Sequence, residues 1–147
     1  MGHANKDTFL AVNIAVLTVS DSRTPDDDKS GNILVDRLEG AGHTLAARDI
    51  VKDDADVIAA KFREWADDAT IEIIIATGGT GLTGRDVTPE ALAKVAEKDI
   101  PGFGELFRML SYQKIKTSTI QSRACAGVVN GTYIFAVPGS PGACKDA

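Results

Sequence analysis

Apolar and polar positions along this chain fall into blocks of two periods. Residues 11–20 form a short β-branched apolar run that ends in the polar segment Asp21-Ser22-Arg23-Thr24-Pro25. That pattern suits a strand buried on both faces of a parallel sheet. Behind it, Ile33, Leu34 and Leu38 recur at helical spacing, with Ser30 as the expected cap and Gly40 and Gly42 closing the helix. A second strand is predicted over 44–51. It ends at Lys52-Asp53-Asp54, where Asp54 is a natural N-cap for a helix carrying Ile58, Phe62, Trp65 and Ala66 on one face. Residues 71–77 read as a third strand. The order strand, helix, strand, helix, strand predicts an α/β three-layer sandwich: a mostly parallel sheet covered by helices on both faces.

The second half is more mixed. A helix is predicted over 89–96, with Leu92 and Val95 inward, Thr88 as N-cap and Pro89 at the first helical position. Ile100-Pro101-Gly102 interrupts it. A further helix over 103–110 places Phe103, Leu106, Phe107 and Leu110 at helical spacing, a pattern expected to face the core. After the polar stretch 111–123, Val128-Val129 and residues 132–137 flank Asn130-Gly131, which favours a tight hairpin and an antiparallel strand pair at the sheet edge.

In open α/β sheets, ligands gather at the carboxyl ends of the strands. The polar segments after Ser20, Val51 and Thr77 all fall at such ends, so they converge although distant in sequence. The third is the most informative: Thr77-Gly78-Gly79-Thr80-Gly81-Leu82-Thr83-Gly84-Arg85-Asp86-Val87-Thr88-Pro89-Glu90. Its glycines let backbone N–H groups approach a ligand closely, as in loops that wrap phosphates. Bare phosphate would repel Asp86, so that carboxylate makes best sense with Mg²⁺ between it and a phosphorylated ligand. Arg85 offsets remaining negative charge. Gly79 to Gly84 also spells the dinucleotide pattern G-x-G-x-x-G, but that fingerprint opens its helix directly, and here the helix waits until about Pro89. A Walker A loop would end in Gly-Lys-Ser/Thr, which is absent. A tight surface loop without a ligand is the bland alternative. Pro138-Gly139-Ser140-Pro141-Gly142 forms a second small-residue loop after a strand and is another candidate for backbone contact with phosphate.

Composition narrows the function classes. At 147 residues, 44% hydrophobic and 25% charged, the chain fits one globular domain spanning 1–147. A net charge of −5 and a pI near 4.9 argue against a general nucleic-acid binder, which needs a basic face. No apolar run reaches the length of a membrane span, and the N-terminus lacks the basic and apolar regions of a signal peptide, so a cytoplasmic protein is expected. Cys125 and Cys144 lack C-x-x-C spacing and read as ordinary thiols. His3, in a tail expected to be disordered, and His43 offer no metal-ligand spacing. The run Asp26-Asp27-Asp28 reads as a solvated loop, and capping with the helix dipole accounts for Asp53 and Asp54 as well as chemistry does.

The segments Thr18-Val19-Ser20-Asp21-Ser22-Arg23, Asp49-Ile50-Val51-Lys52-Asp53-Asp54, Thr77 through Glu90, and Ile100 through Ser111 together closely resemble the MoaB/MogA family of molybdenum cofactor biosynthesis proteins, whose fold is shared by the G domain of gephyrin. Thr117 through Gly127 and the terminal Pro138-Gly139-Ser140-Pro141 are more similar to the MoaB branch than to MogA. One departure is Lys116, where the family pattern has glycine, which puts a backbone of φ > 0 there in question.

The resemblance implies a site for molybdopterin, a phosphorylated pterin dithiolene, and in active members for Mg-ATP, with adenylyl transfer and release of pyrophosphate. By the same resemblance, Asp86 and Asp53 match acids assigned to Mg²⁺ and catalysis, and Gly78, Gly79, Thr80 and Gly81 match the loop at pterin and phosphates. Ser20, Asp21, Ser111, Gly139 and Ser140 are further binding positions. A non-catalytic carrier of molybdopterin or nucleotide is the alternative, and ATP versus GTP stays open. The resemblance also implies a homotrimer, sometimes paired into a hexamer, and a C-terminal helix after Pro-Gly-Ser where this sequence ends at Ala147.

Overall fold

The computed structural model describes residues 8–147; the readings of His3 and of the extreme N-terminus fall outside them. Strands β1 (Asn13–Val19), β2 (Thr44–Val51), β3 (Ile73–Thr77), β4 (Lys98–Asp99), β5 (Cys125–Val129) and β6 (Thr132–Val137) form one sheet in the order β2-β1-β3-β6-β5-β4. β1 runs parallel to β2 and β3, and β3 parallel to β6; β5 is antiparallel to β6 and β4 to β5. The mixed sheet is flanked by helices α1 (Lys29–Gly40), α2 (Ala55–Ala66), α3 (Thr88–Val95), α4 (Pro101–Ile115) and α5 (Pro141–Asp146), with a 3₁₀ segment over Lys116–Gln121.

The alternation of side chains along β1 builds the two cores. Ala15, Leu17 and Val19 face α2 and α3, where Ile58, Phe62 and Leu92 bury against them. Ile14 and Val16 face the other way, onto Leu34 and Leu38 of α1 and Phe107 of α4. The three-layer sandwich expected from the sequence is therefore present.

Local details differ from expectation in instructive ways. Asp28, not Ser30, caps α1: its carboxylate accepts from Gly31 N at 3.0 Å. Nor is it a solvated member of an acidic run. It is fully buried, and it also accepts from Thr18 Oγ1 at 2.7 Å and from Arg48 at 3.2 Å. One carboxylate thereby joins β1, α1 and β2. Ser30 lies in the first turn and donates to the carbonyl of Gly139 at 2.7 Å. Thr88 likewise is not a cap. Val87 holds that position, while the buried Thr88 hydroxyl donates to Gly78 O at 2.8 Å. The hydroxyl proton goes to a tertiary acceptor, and no side-chain hydrogen bond caps α3.

α4 begins at the predicted break, with Pro101 in its first turn, and runs on to Ile115. Phe107 is buried, but Leu106 and Leu110 are 52% and 42% exposed, so half of the expected core stripe faces outward. Asn130 and Gly131 both take positive φ (48° and 78°), as a type I′ hairpin turn requires. The antiparallel pairing expected at the edge is present: β6 joins the hairpin to β3, and the two-residue β4 adds a further antiparallel strand outside β5. Lys116, where a glycine was expected, does adopt φ 55° and ψ −135°.

Two predictions follow from these observations. Burial works against the charged form of Asp28, but hydrogen bonds from Thr18, Gly31 and Arg48 outweigh it and hold the carboxyl below its ordinary 3.8. A depressed folded value contributes stability that is complete above pH 3.8 and is lost as pH falls through the folded value. Asp28→Ala is expected to cost about 3 kcal/mol at neutral pH in urea unfolding and to flatten the acid limb below pH 3.8. An unchanged acid limb would show that Asp28 does not carry it. At Lys116, strain of about 1–3 kcal/mol is offset in part by the entropic cost of a glycine, so Lys116→Gly is expected to stabilise by about 1 kcal/mol. A lower melting temperature for that variant would refute the strain.

Candidate functional site

The parallel strands β2, β1, β3 and β6 end on one rim of the sheet, and their following loops enclose an open cleft of about 510 Å³. Ser20 enters from β1, Asp53 from β2, Gly78 and Gly79 from β3, and Gly139 from β6. Thr80, Gly81 and Asp86 complete the glycine-loop side. The convergence expected from the strand ends is thus found in space.

The glycines are required by close backbone approach. Gly78 has φ 104°, and a Cβ there would lie 2.3 Å from the carbonyl oxygen of Val19. Gly79 has φ 71°, and its Cβ would lie 2.3 Å from Thr88 Oγ1. Among the described residues, the amides of Gly79, Thr80, Gly81 and Gly139 have no protein acceptor. All four residues line the cleft, so these amides are available to a ligand there.

Asp86 folds back on its own loop: its Oδ2 accepts from Thr83 N at 2.9 Å and from Thr83 Oγ1 at 2.8 Å. Arg123 fixes that loop from outside. Its Nε donates to Gly81 O and its Nη2 to Asp86 O, both at 2.8 Å, and it pairs with Glu90 of α3. Sequence reasoning missed Arg123, because a side chain that holds backbone carbonyls leaves no motif.

Asp21 stands just outside the lining. Its Oδ1 accepts from Asp53 N at 3.1 Å, and its Oδ2 receives both Nε and Nη2 of Arg85, at 3.0 and 2.7 Å. Arg85 and then the Asp53 amide hold the Asp21 carboxyl below its ordinary value. Asp53 behaves oppositely: burial, then the negative charge of Asp21, pushes it up. The backbone N–H of Asp21 and the charge of Arg85 oppose that rise without overcoming it. No group of three or more His, Cys, Asp or Glu among the described residues is arranged to hold a metal ion. Two carboxylates on one cleft suit Mg²⁺, which keeps several waters and takes the rest of its shell from substrate phosphates.

Ser111 and Ser140 lie elsewhere. They line an adjoining pocket of about 200 Å³ that shares Ile115, Ser122 and Pro138 with the cleft. Ser111 is buried, and Ser140 caps α5 by accepting from Ala143 N at 3.1 Å. Arg23, Gln121 and Ser122 also line the cleft without having been singled out beforehand. Arg23 carried the signal of a cation in the polar segment after β1. The 3₁₀ segment that brings Gln121 has too little periodicity to announce itself. The thiols take no part: burial pushes Cys125 up to about 11, and it also raises Cys144, which is buried against Thr77 at 3.2 Å.

Residues 15–147 match the family described as "Probable molybdopterin binding domain". The chain is 48% identical over 139 residues to molybdenum cofactor biosynthesis protein B of Escherichia coli (strain K12), covering 95% of this chain and 82% of the relative. It is 47% identical over 135 residues to the protein of the same name from Bacillus subtilis (strain 168), covering 91% and 79%. A crystal structure of a molybdenum cofactor biosynthesis protein B superposes with a TM-score of 0.90 at 40% identity, over 93% of this chain and 86% of that one. By sequence and by fold, this chain belongs to the molybdopterin-binding-domain family of molybdenum cofactor biosynthesis proteins.

Proposed function

We propose that this chain binds molybdopterin in the cleft at the strand ends and adenylylates it with Mg-ATP. The observation that carries the reading is one cleft holding a glycine loop with free amides beside two carboxylates from the loops after different strands, Asp53 after β2 and Asp86 after β3. The membership of the family, whose relatives are named for molybdenum cofactor biosynthesis, supplies the substrate class.

In this reading the terminal phosphate of molybdopterin attacks the α-phosphorus of ATP. A new P–O bond forms there as the bond from the α-phosphorus to the bridging oxygen breaks, and pyrophosphate leaves with that electron pair. The protein needs to supply alignment and charge neutralisation, not a nucleophile. The amides of Gly79, Thr80 and Gly81 donate to phosphate oxygens. Asp53 and Asp86 would hold Mg²⁺, which when bound neutralises charge between the phosphates. Asp53 suits that role because it lines the cleft and already bears the repulsion of Asp21, which a bound cation would relieve. Arg123 and the Thr83 contacts keep Asp86 and its loop in place. No helix among the described residues is long and apolar enough to cross a membrane, and a cytoplasmic site of action belongs to the proposal.

Assembly is part of the same reading. Leu106, Met109, Leu110 and Tyr112 of α4, with Ile120 beyond it, stand 42–80% exposed. Large apolar side chains concentrated on one helix mark an interaction surface, and we assign it to a homotrimer, able to pair into a hexamer.

Purified protein given molybdopterin and Mg-ATP is expected to release pyrophosphate and form adenylylated pterin, with GTP as a parallel arm. Asp86→Asn is expected to lower the rate by on the order of 100-fold or more. Pterin binding with no adenylylated product from the wild type would sink the catalytic reading in favour of a carrier. Light scattering on the same preparation is expected to give a trimer or hexamer, and Met109→Glu a smaller species; a monomeric wild type would reject the assembly.

A further inference from the structure

Several arginines of the molecule are engaged by the protein itself. Arg85 is held by Asp21, Arg123 by Glu90 and two carbonyls, and Arg48 by Asp28. Arg108 donates to the carbonyls of Ser122 and Ala124. Arg23 differs. It is half-buried and lines the cleft, yet among the described residues no acceptor receives a hydrogen bond or ion pair from its side chain. Its backbone is nevertheless fixed: Ser20 Oγ accepts from Arg23 N at 3.0 Å and from Ser22 N at 3.2 Å, turning the chain at the end of β1. Across the same cleft the Gly139 loop is pinned by its carbonyl to Ser30, while its amide has no protein acceptor.

A half-buried guanidinium on the cleft wall with no protein acceptor among the described residues has its donors available to an anion. A guanidinium offers a planar fork of donors that matches the oxygens of a phosphate in a bidentate way. We propose that Arg23 is the phosphate receptor of the cleft: its guanidinium takes two oxygens of a phosphate monoester, and the Gly139 and glycine-loop amides take others. The inference rests on the cleft being the ligand site, but not on adenylyl transfer occurring there. The phosphate can belong to the pterin or to the nucleotide, and these two sources are separated by the test.

The full chain is titrated with AMP, with adenosine and with molybdopterin, as wild type, Arg23→Gln, Arg23→Lys and Arg63→Gln. Arg63 lies exposed on α2, away from the cleft, and its replacement removes the same charge. Arg23→Gln is expected to melt at the wild-type temperature. If the nucleotide's phosphate is the ligand, the wild type binds AMP at least about 10-fold tighter than adenosine, and Arg23→Gln erases that preference. If the pterin's phosphate is the ligand, Arg23→Gln instead weakens molybdopterin by about 10-fold or more. In either case Arg23→Lys falls between and Arg63→Gln matches the wild type. Unchanged affinity for both ligands in folded Arg23→Gln overturns the proposal, as does a wild type that binds neither. Arg23-dependent binding without adenylyl transfer would sink the proposed reaction and keep the receptor; normal transfer by Arg23→Gln would do the reverse.

Discussion

Where β3 leaves the sheet, three backbone segments meet with no room for a side chain. A Cβ on Gly78 would strike the carbonyl of Val19, and one on Gly139 would come within 3.1 Å of Gly78 Cα. The ends of β1, β3 and β6 are therefore locked at van der Waals distance. The Thr88 hydroxyl adds a hydrogen bond to Gly78 O, tying the start of α3 to the same point. The site inherits its shape from this approach, since the glycine loop can turn across the rim only because Gly78 and Gly79 accept positive φ. Helix, strand end and loop become one rigid corner, and the free amides of that corner are held in position before any ligand arrives.

A second layer of side-chain contacts protects the corner electrostatically. The cleft gathers Asp53 and Asp86, with Asp21 beside them, and so much like charge is unfavourable in a half-buried place. Arg85 takes up Asp21, and Thr83 takes up Asp86. Asp53 is left the least compensated of the three, its rise only partly opposed by the Asp21 amide and Arg85. The fold thus distributes its compensation unevenly, and among the described residues the Arg23 side chain on the same cleft has no protein acceptor.

The strands, the buried faces of α1 and α2, and the glycine loop were legible in the sequence because each follows a local rule: a period of two, a period near 3.6, or a demand for absent Cβ atoms. Asp54 as cap of α2 is such a case. What escaped was decided by distant partners. Asp28 looked like part of a solvated acidic run, because nothing nearby in sequence reveals that Thr18 and Arg48 would enclose it. Thr88 looked like a cap, but the helix starts at Thr88 itself and its hydroxyl donates to the distant Gly78 O. Apolar periodicity over 103–110 announced a helix correctly but could not tell Phe107, which is buried, from Leu106, which is not. The meeting of Ser20, Asp53, Gly79 and Gly139 followed from topology; the clamp by Arg123 did not, because its acceptors are main-chain carbonyls and carry no residue identity.

The two cysteines bear on what the cleft tolerates. Both are kept protonated by burial, and Cys144 sits directly behind Thr77 at the floor of the strand end. Disulfide exchange starts from a thiolate, so these sulfurs are kinetically silent near neutral pH. Among the described residues neither thiol lines the cleft, so a ligand there meets glycine, hydroxyl, guanidinium and carboxylate groups and no sulfur from the protein.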